Sequence, residues 1–180
     1  HSIRLHLLLL VPLLSLPLTC NHLAAAEPDH RCSLWVDPYR GEPLSFDELV
    51  DDLADADVVY LGEAHSLERH HRTQEAVLQT LAERGRKLVL GLEQLERYQQ
   101  PHLDRYNRGE IDFERLAELT DWGSRWHGYE QYRSLVEAAR ELDIPVLALN
   151  ARAETVGQVF RQGGVEALDE ETRAELPADM

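Results

Sequence analysis

Three stretches of this sequence end in side chains that can move protons or hold a ligand. Gly62-Glu63-Ala64-His65 is followed by His70-His71 and Gln74, Gly91-Leu92 runs into Glu93, and Ala148-Leu149 runs into Asn150. A carboxylate beside an imidazole can activate water for attack on an ester or peptide. Two carboxylates with a histidine also supply the three donors that a divalent ion with an open position needs. A second concentration is Trp122-Gly-Ser-Arg125-Trp126-His127-Gly-Tyr129-Glu-Gln-Tyr132. Its flat surfaces alternate with ligand-capable groups, which suits a planar aromatic cofactor with an anionic substituent near Arg125. Taken singly, each polar residue reads as a helix cap or a solvated side chain, and the aromatic stretch as a packed lid. Their convergence from separate parts of the chain is what points to a site.

The elements that must position these groups follow from hydrophobic pattern. Residues 57–62, 87–92 and 145–149 are short runs, apolar on both faces, as strands buried between helical layers are. Helical patterns cover 45–54, 67–84, 129–142 and 153–161, with a short helix at 112–119 inside a polar, aromatic insertion at 95–127. Strands alternating with helices predict right-handed crossovers and an α/β fold, a mainly parallel sheet with helices on both faces. Three strands make a thin sheet, so an incomplete domain is expected. Tyr60, in mid-strand, is assigned to the core.

Each expected strand finishes in a polar residue, which sets Glu63, His65, Glu93 and Asn150 along the carboxyl edge of the sheet, where open α/β folds bind ligands. Ser66 is the expected N-cap of the second helix and Glu68 complements its dipole. Along that helix positions 67, 70, 71, 74, 77, 78 and 81 form one face, so His70, His71 and Gln74 aim inward at the mouth of the sheet.

Composition narrows the classes. The 180 residues hold 18 Lys and Arg against 33 Asp and Glu, a net charge of −15 that argues against sequence-independent nucleic-acid binding. The hydrophobic share of 43% and charged share of 28% suit an ordinary globular domain. Cys20 and Cys32 form neither a disulfide framework nor a CxxC pair.

The amino end has the layout of a secretory signal. Arg4 precedes a run with nine leucines in fourteen positions, followed by Ala24-Ala25-Ala26. The run is short for a membrane span, and Pro12 and Pro17 interrupt it. We therefore expect a signal peptide at 1–26 and a domain at 27–180. Cleavage after Ala26 leaves a soluble chain and lipid attachment at Cys20 an anchored one. Pro17-Leu18-Thr19 is a poor lipoprotein box, and both outcomes stay open.

The run from Asp57 to His65, then His70-His71, Gln74, Gly91-Leu-Glu93 and Pro145-Val-Leu-Ala-Leu-Asn150, resembles the ChaN-like haem-binding uptake proteins. Their superfamily includes the Tiki proteases, the TraB proteins and the erythromycin esterases. The resemblance implies an exported bacterial protein of the periplasm or outer membrane that binds haem for iron uptake, with cofacial haems between two subunits of a homodimer. It places Glu63, His65, His70, His71 and Glu93 at the superfamily's site positions, and Asn150 fits its third strand end. Family members also continue beyond the position of Met180.

The expected haem-binding set is Glu63, His65, His70, His71, Gln74, Glu93, His127, Tyr129, Asn150 and Arg152. His127 or a neighbouring tyrosine would be the axial ligand, and Arg69, Arg72, Arg125 and Arg152 would meet the propionates. On this reading the chain is a carrier, with no catalytic residues. The alternative is a hydrolase, an esterase or protease, that uses Glu63, His65 and Glu93 with or without a divalent ion. A third class, an interaction protein that keeps the site as a relic, would bind no cofactor.

Overall fold

The computed structural model describes residues 34–174 and 176. The expected export segment, Cys20, Cys32 and the last few residues lie outside the described residues.

The described chain begins with an antiparallel hairpin, β1 (Trp35–Asp37) and β2 (Glu42–Leu44). Asp37 closes its turn by accepting at Oδ1 from the N–H groups of Tyr39 and Arg40. Helix α1 (Phe46–Ala54) starts from a reciprocal cap: the Ser45 hydroxyl accepts from the Glu48 N–H, and the Glu48 carboxylate accepts from the Ser45 N–H. Helix α2 (Glu68–Glu83) follows the expected span, but its N-cap is Leu67, without a side-chain cap bond, rather than Ser66. The Leu67 N–H bonds the Ala64 C=O at 2.9 Å. This turn delays the helix by one residue.

Strands β3 (Leu90–Glu96) and β4 (Val146–Asn150) pair in parallel, with Leu90 opposite Val146 and Leu92 opposite Ala148. Between them run α3 (Gln100–Asn107), α4 (Phe113–Leu119), α5 (Trp122–Arg125) and α6 (Arg133–Glu141). Helices α7 (Ala153–Gln162) and α8 (Glu170–Ala174) follow β4. The fold is α/β, a small parallel sheet with several helices, as the alternating pattern predicts. No helix among the described residues is long and apolar enough to cross a membrane.

Residues 57–62 depart from the expected strand. They enter no ladder, and Tyr60 is 92% exposed rather than in the core. An apolar run becomes a buried strand only where neighbours cover it and an open edge pairs with it. Here one side-chain bond ties its end down, from Gln74 Nε2 to the Leu61 C=O at 3.2 Å. Along β4, Val146 and Ala148 are buried while Leu147 and Leu149 stay open to solvent among the described residues.

The stretch 95–127, expected to be a polar insertion, supplies much of the larger core. Leu103, Tyr106, Phe113, Leu116 and Trp122 bury together with Leu92, Val136 and Val146. Its helices are short, so too few turns accumulate for the apolar stripe to stand out in sequence. A second cluster joins Phe46 and Val50 of α1 to Val77 and Leu81 of α2.

Helix α3 closes the outer edge of β4 with two side-chain amides one heptad apart. Asn107 accepts from the Val146 N–H and donates to the Val146 C=O, both at 3.0 Å. Gln100 accepts from the Ala148 N–H at 2.8 Å. These amides supply the bonds a further strand would have made and block edge growth on that side. Replacing Asn107 by Ala strands two part-buried backbone groups. Urea unfolding is expected to show a loss of about 1–3 kcal/mol. A change below about 0.5 kcal/mol would show that water replaces the amide.

Candidate functional site at the strand ends

The centre of the site is the Glu63 carboxylate, whose side chain is 4% exposed. Oε1 accepts from His65 Nδ1 at 2.8 Å, from Gln94 Nε2 at 3.1 Å and from the Tyr132 hydroxyl. Oε2 accepts from Gln74 Nε2 at 2.9 Å. Nε2 of the fully buried His71 lies 3.2 Å from Oε2, yet neither ring nitrogen of His71 has a hydrogen-bonding partner among the described residues. His70 stands beside the centre, accepting at Nδ1 from the Ala64 N–H at 2.9 Å.

A bulge in β3 makes room for this arrangement. Leu92 pairs with Ala148 and Glu96 with Asn150, so β3 uses four steps where β4 uses two. Bulges redirect side chains next to functional sites. Here Glu93 is left exposed, Gln94 reaches Glu63 and Tyr132, and Glu96 is buried. Asn150 Nδ2 donates to the Glu93 C=O at 3.1 Å; Glu93 does not finish its strand as expected but lies in the bulge, since β3 runs on to Glu96. One donor atom each from Glu63, His65 and Glu93 lies within 4.8 Å of the others.

Of the expected site residues, the fold brings Glu63, His65, His71 and Gln74 into one contact network, with His70, Glu93 and Asn150 at its rim. Tyr129 turns toward α4 and α5, its ring 6.2 Å from those of Phe113 and Trp122. His127 is exposed and makes no hydrogen bond or ion pair among the described residues. Arg152 lies past the end of β4, its guanidinium 4.0 Å above the Tyr98 ring.

Sequence reasoning did not assign Tyr132 or Gln94 to the centre. Tyr132 is fully buried, its ring 4.3 Å from that of His71, and its oxygen accepts from Trp126 Nε1 while donating to Glu63. Its place at the end of the aromatic stretch was the available signal. Nothing in the sequence announced the bulge that turns Gln94 inward.

The electrostatics follow from burial and bonding. Burial alone would raise the Glu63 carboxyl, but the bonds from Tyr132, His65 and Gln74, with His71 nearby, hold it below the ordinary glutamate value. Burial lowers His71, against the pull of Glu63. Burial, then its bond to Glu63, pushes the Tyr132 phenol well up, so it remains a hydrogen-bond donor.

Beside this centre opens a cleft of 340 Å³ lined by Glu93, Gln94, Glu96, Trp122, Arg125, Trp126 and Asn150, among others. Arg125 donates to Glu96 Oε1 at 2.8 Å, which commits that cation to the cleft wall. His65, whose side chain is 49% exposed, sets its ring at an edge-on angle 4.7 Å from that of Trp126.

Fold and site together define an α/β protein with a hydrogen-bonded carboxylate–imidazole centre against the β3 bulge, beside a tryptophan-lined cleft. Residues 49–180 match the model of the haem-binding uptake family of the Tiki superfamily, ChaN, and the chain belongs to that family. Among solved structures it is similar to ChaN of Campylobacter jejuni, described in cofacial haem binding, with a TM-score of 0.62 and 22% identity. That likeness covers 71% of this chain and 52% of the Campylobacter chain, so this chain spans about half of its length. At such identity the likeness is one of fold. No curated protein sequence matches the chain.

The lowered Glu63 and His71 values carry a pH dependence. In both cases the unfolded chain takes up its proton at a higher pH than the folded one. Their stabilisation is therefore full above the ordinary histidine value of about 6.5, then falls with pH, first through His71 and then through Glu63 below about 4.3. Urea unfolding at several pH values should show this decline, and His71→Gln should remove its upper part while leaving the acid limb. An identical slope between pH 6.5 and 5 in the variant would show that His71 does not carry it.

Proposed function

We propose that this chain binds haem in the cleft beside the Glu63 centre and acts as an exported carrier in haem or iron uptake. The observation that carries the reading is the geometry of His65. Its Nδ1–H donates to a buried carboxylate, which leaves the Nε2 lone pair of the neutral ring directed away from Glu63 and available to iron. A carboxylate behind a ligating imidazole fixes its tautomer and raises its basicity.

The residues present suit the group. Trp122 and Trp126 give the cleft flat apolar walls. Gln94 Oε1, Glu96 Oε2 and Trp122 Nε1, from residues that line it, are buried without a hydrogen-bonding partner among the described residues. Exposed His127 offers a second imidazole close in sequence to the tryptophans. Bound haem supplies iron as cargo, while Glu63, Gln74, Gln94 and Tyr132 keep His65 oriented.

Membership of a haem-uptake family supports the same assignment. The cofacial binding described for the Campylobacter protein is carried to this chain as a homodimer with facing haems. Export through residues 1–26, to the periplasm or outer membrane, completes the proposal, with the chain either soluble or anchored at Cys20.

A haem titration of the purified chain tests this. A saturable Soret shift of defined stoichiometry is expected, weakened about tenfold or displaced in wavelength by His65→Ala, with His127→Ala run in parallel. No saturable shift in the wild type would overturn the reading.

The proximity of Glu63, His65 and Glu93 favours a second reading, a divalent ion serving hydrolysis. Against it, both Glu63 oxygens already accept hydrogen bonds that a metal would have to displace. A stoichiometric divalent metal in the purified chain, lost in Glu93→Gln, would favour it over haem.

A further inference from the structure

We infer that Trp126 is a positioning residue of this site: it holds the His65 imidazole with Nε2 turned away from Glu63 and free for a ligand, and so acts on that ligand through His65. The identity of the ligand rests on the haem reading. The orientation of the ring rests on geometry alone.

His65 needs a second restraint. Its side chain is 49% exposed, and its one hydrogen bond runs from Nδ1 to Glu63 Oε1 at 2.8 Å. A single bond at one ring nitrogen lets the imidazole pivot, and a ring that turns over presents the other nitrogen. Among the described residues, the ring packed on it is that of Trp126, edge-on at 68° with 4.7 Å between centroids.

Trp126 is a fixed surface to lean on. Its backbone N–H bonds the Trp122 C=O at 2.8 Å as α5 ends, and its indole Nε1 donates to the Tyr132 hydroxyl at 3.2 Å. Between the two aromatic residues Gly128, at φ +74°, bends the chain into the 3-10 turn that carries Tyr132. Glycine adopts that left-handed backbone at no steric cost.

The contacts close into a circuit. Trp126 donates to Tyr132, Tyr132 donates to Glu63 Oε1, that oxygen accepts from His65, and the His65 ring returns to Trp126. Gln94 Nε2 also donates to the Tyr132 oxygen, at 3.2 Å, but divides that amide with Glu63. With its oxygen accepting, the Tyr132 hydroxyl keeps its proton for Glu63. The indole thus restrains His65 twice, at the ring directly and at the carboxylate behind it through Tyr132.

Two readouts separate this role from that of a plain cleft wall. The first uses the full chain without haem, labelled with nitrogen-15 at histidine, at about pH 8, where an ordinary imidazole is neutral. His65 is assigned by the signal lost in His65→Ala and is expected in one tautomer, with the proton on Nδ1. Trp126→Leu, which keeps apolar bulk but loses the flat ring and the N–H, should give a mixture of tautomers. Trp126→Phe, which keeps a ring, should give a smaller admixture, with circular dichroism confirming the fold of both.

The second readout is a Soret titration of the same variants. Trp126→Leu is expected to weaken haem binding about tenfold, and to cost nothing further when His65 is already alanine. Equal losses with and without His65 would make Trp126 a surface for the porphyrin and overturn the positioning role. A His65 tautomer unchanged in both Trp126 variants would overturn it as well. A wild type that binds no haem removes the haem reading, and the tautomer measurement then decides this inference by itself.

Discussion

A charge held out of water has to be compensated where it sits, and the Glu63 carboxylate imposes that condition on the site. Its compensation comes from four directions: His65 in the adjoining loop, Gln74 and His71 on α2, Gln94 on the β3 bulge, and Tyr132 before α6. Each of those elements must be in place before the carboxylate is satisfied. The network therefore works as a latch that pulls the otherwise exposed run before Glu63 against the body of the protein. Removing any one donor leaves a buried anion short of a partner, a larger loss than an average hydrogen bond.

The same latch sets what the centre presents at its border. Glu63 is spent on holding other groups, and this distinguishes a positioning carboxylate from a free general base. What it presents is His65, at the border between the buried network and the tryptophan-lined cleft. Membership of a haem-binding uptake family accords with the proposed haem reading.

Much of this was legible in the sequence, for identifiable reasons. The parallel pairing of β3 with β4 followed from apolar runs separated by helical spacing. The inward placement of Gln74 and His71 followed from helix periodicity. What stayed hidden depends on long-range geometry. The run at 57–62 carries a strand's composition, but a strand also needs a ladder partner, and no local pattern reports one. Gln94 joins the site because of a bulge, and Tyr132 because a 3-10 turn carries it across to a residue 69 positions earlier. The amides that seal β4 were equally invisible, since Gln100 and Asn107 read as an ordinary polar helix face.

The central claim, that Glu63 is an anion stabilised by converging donors, is tested most directly by following its side-chain carboxyl carbon by NMR across a pH titration. A midpoint below the ordinary glutamate value of about 4.3 is expected, moving upward in Tyr132→Phe as one donor is withdrawn. A wild-type midpoint at or above that value would contradict it, because burial would then outweigh the donors on which the site's organisation rests.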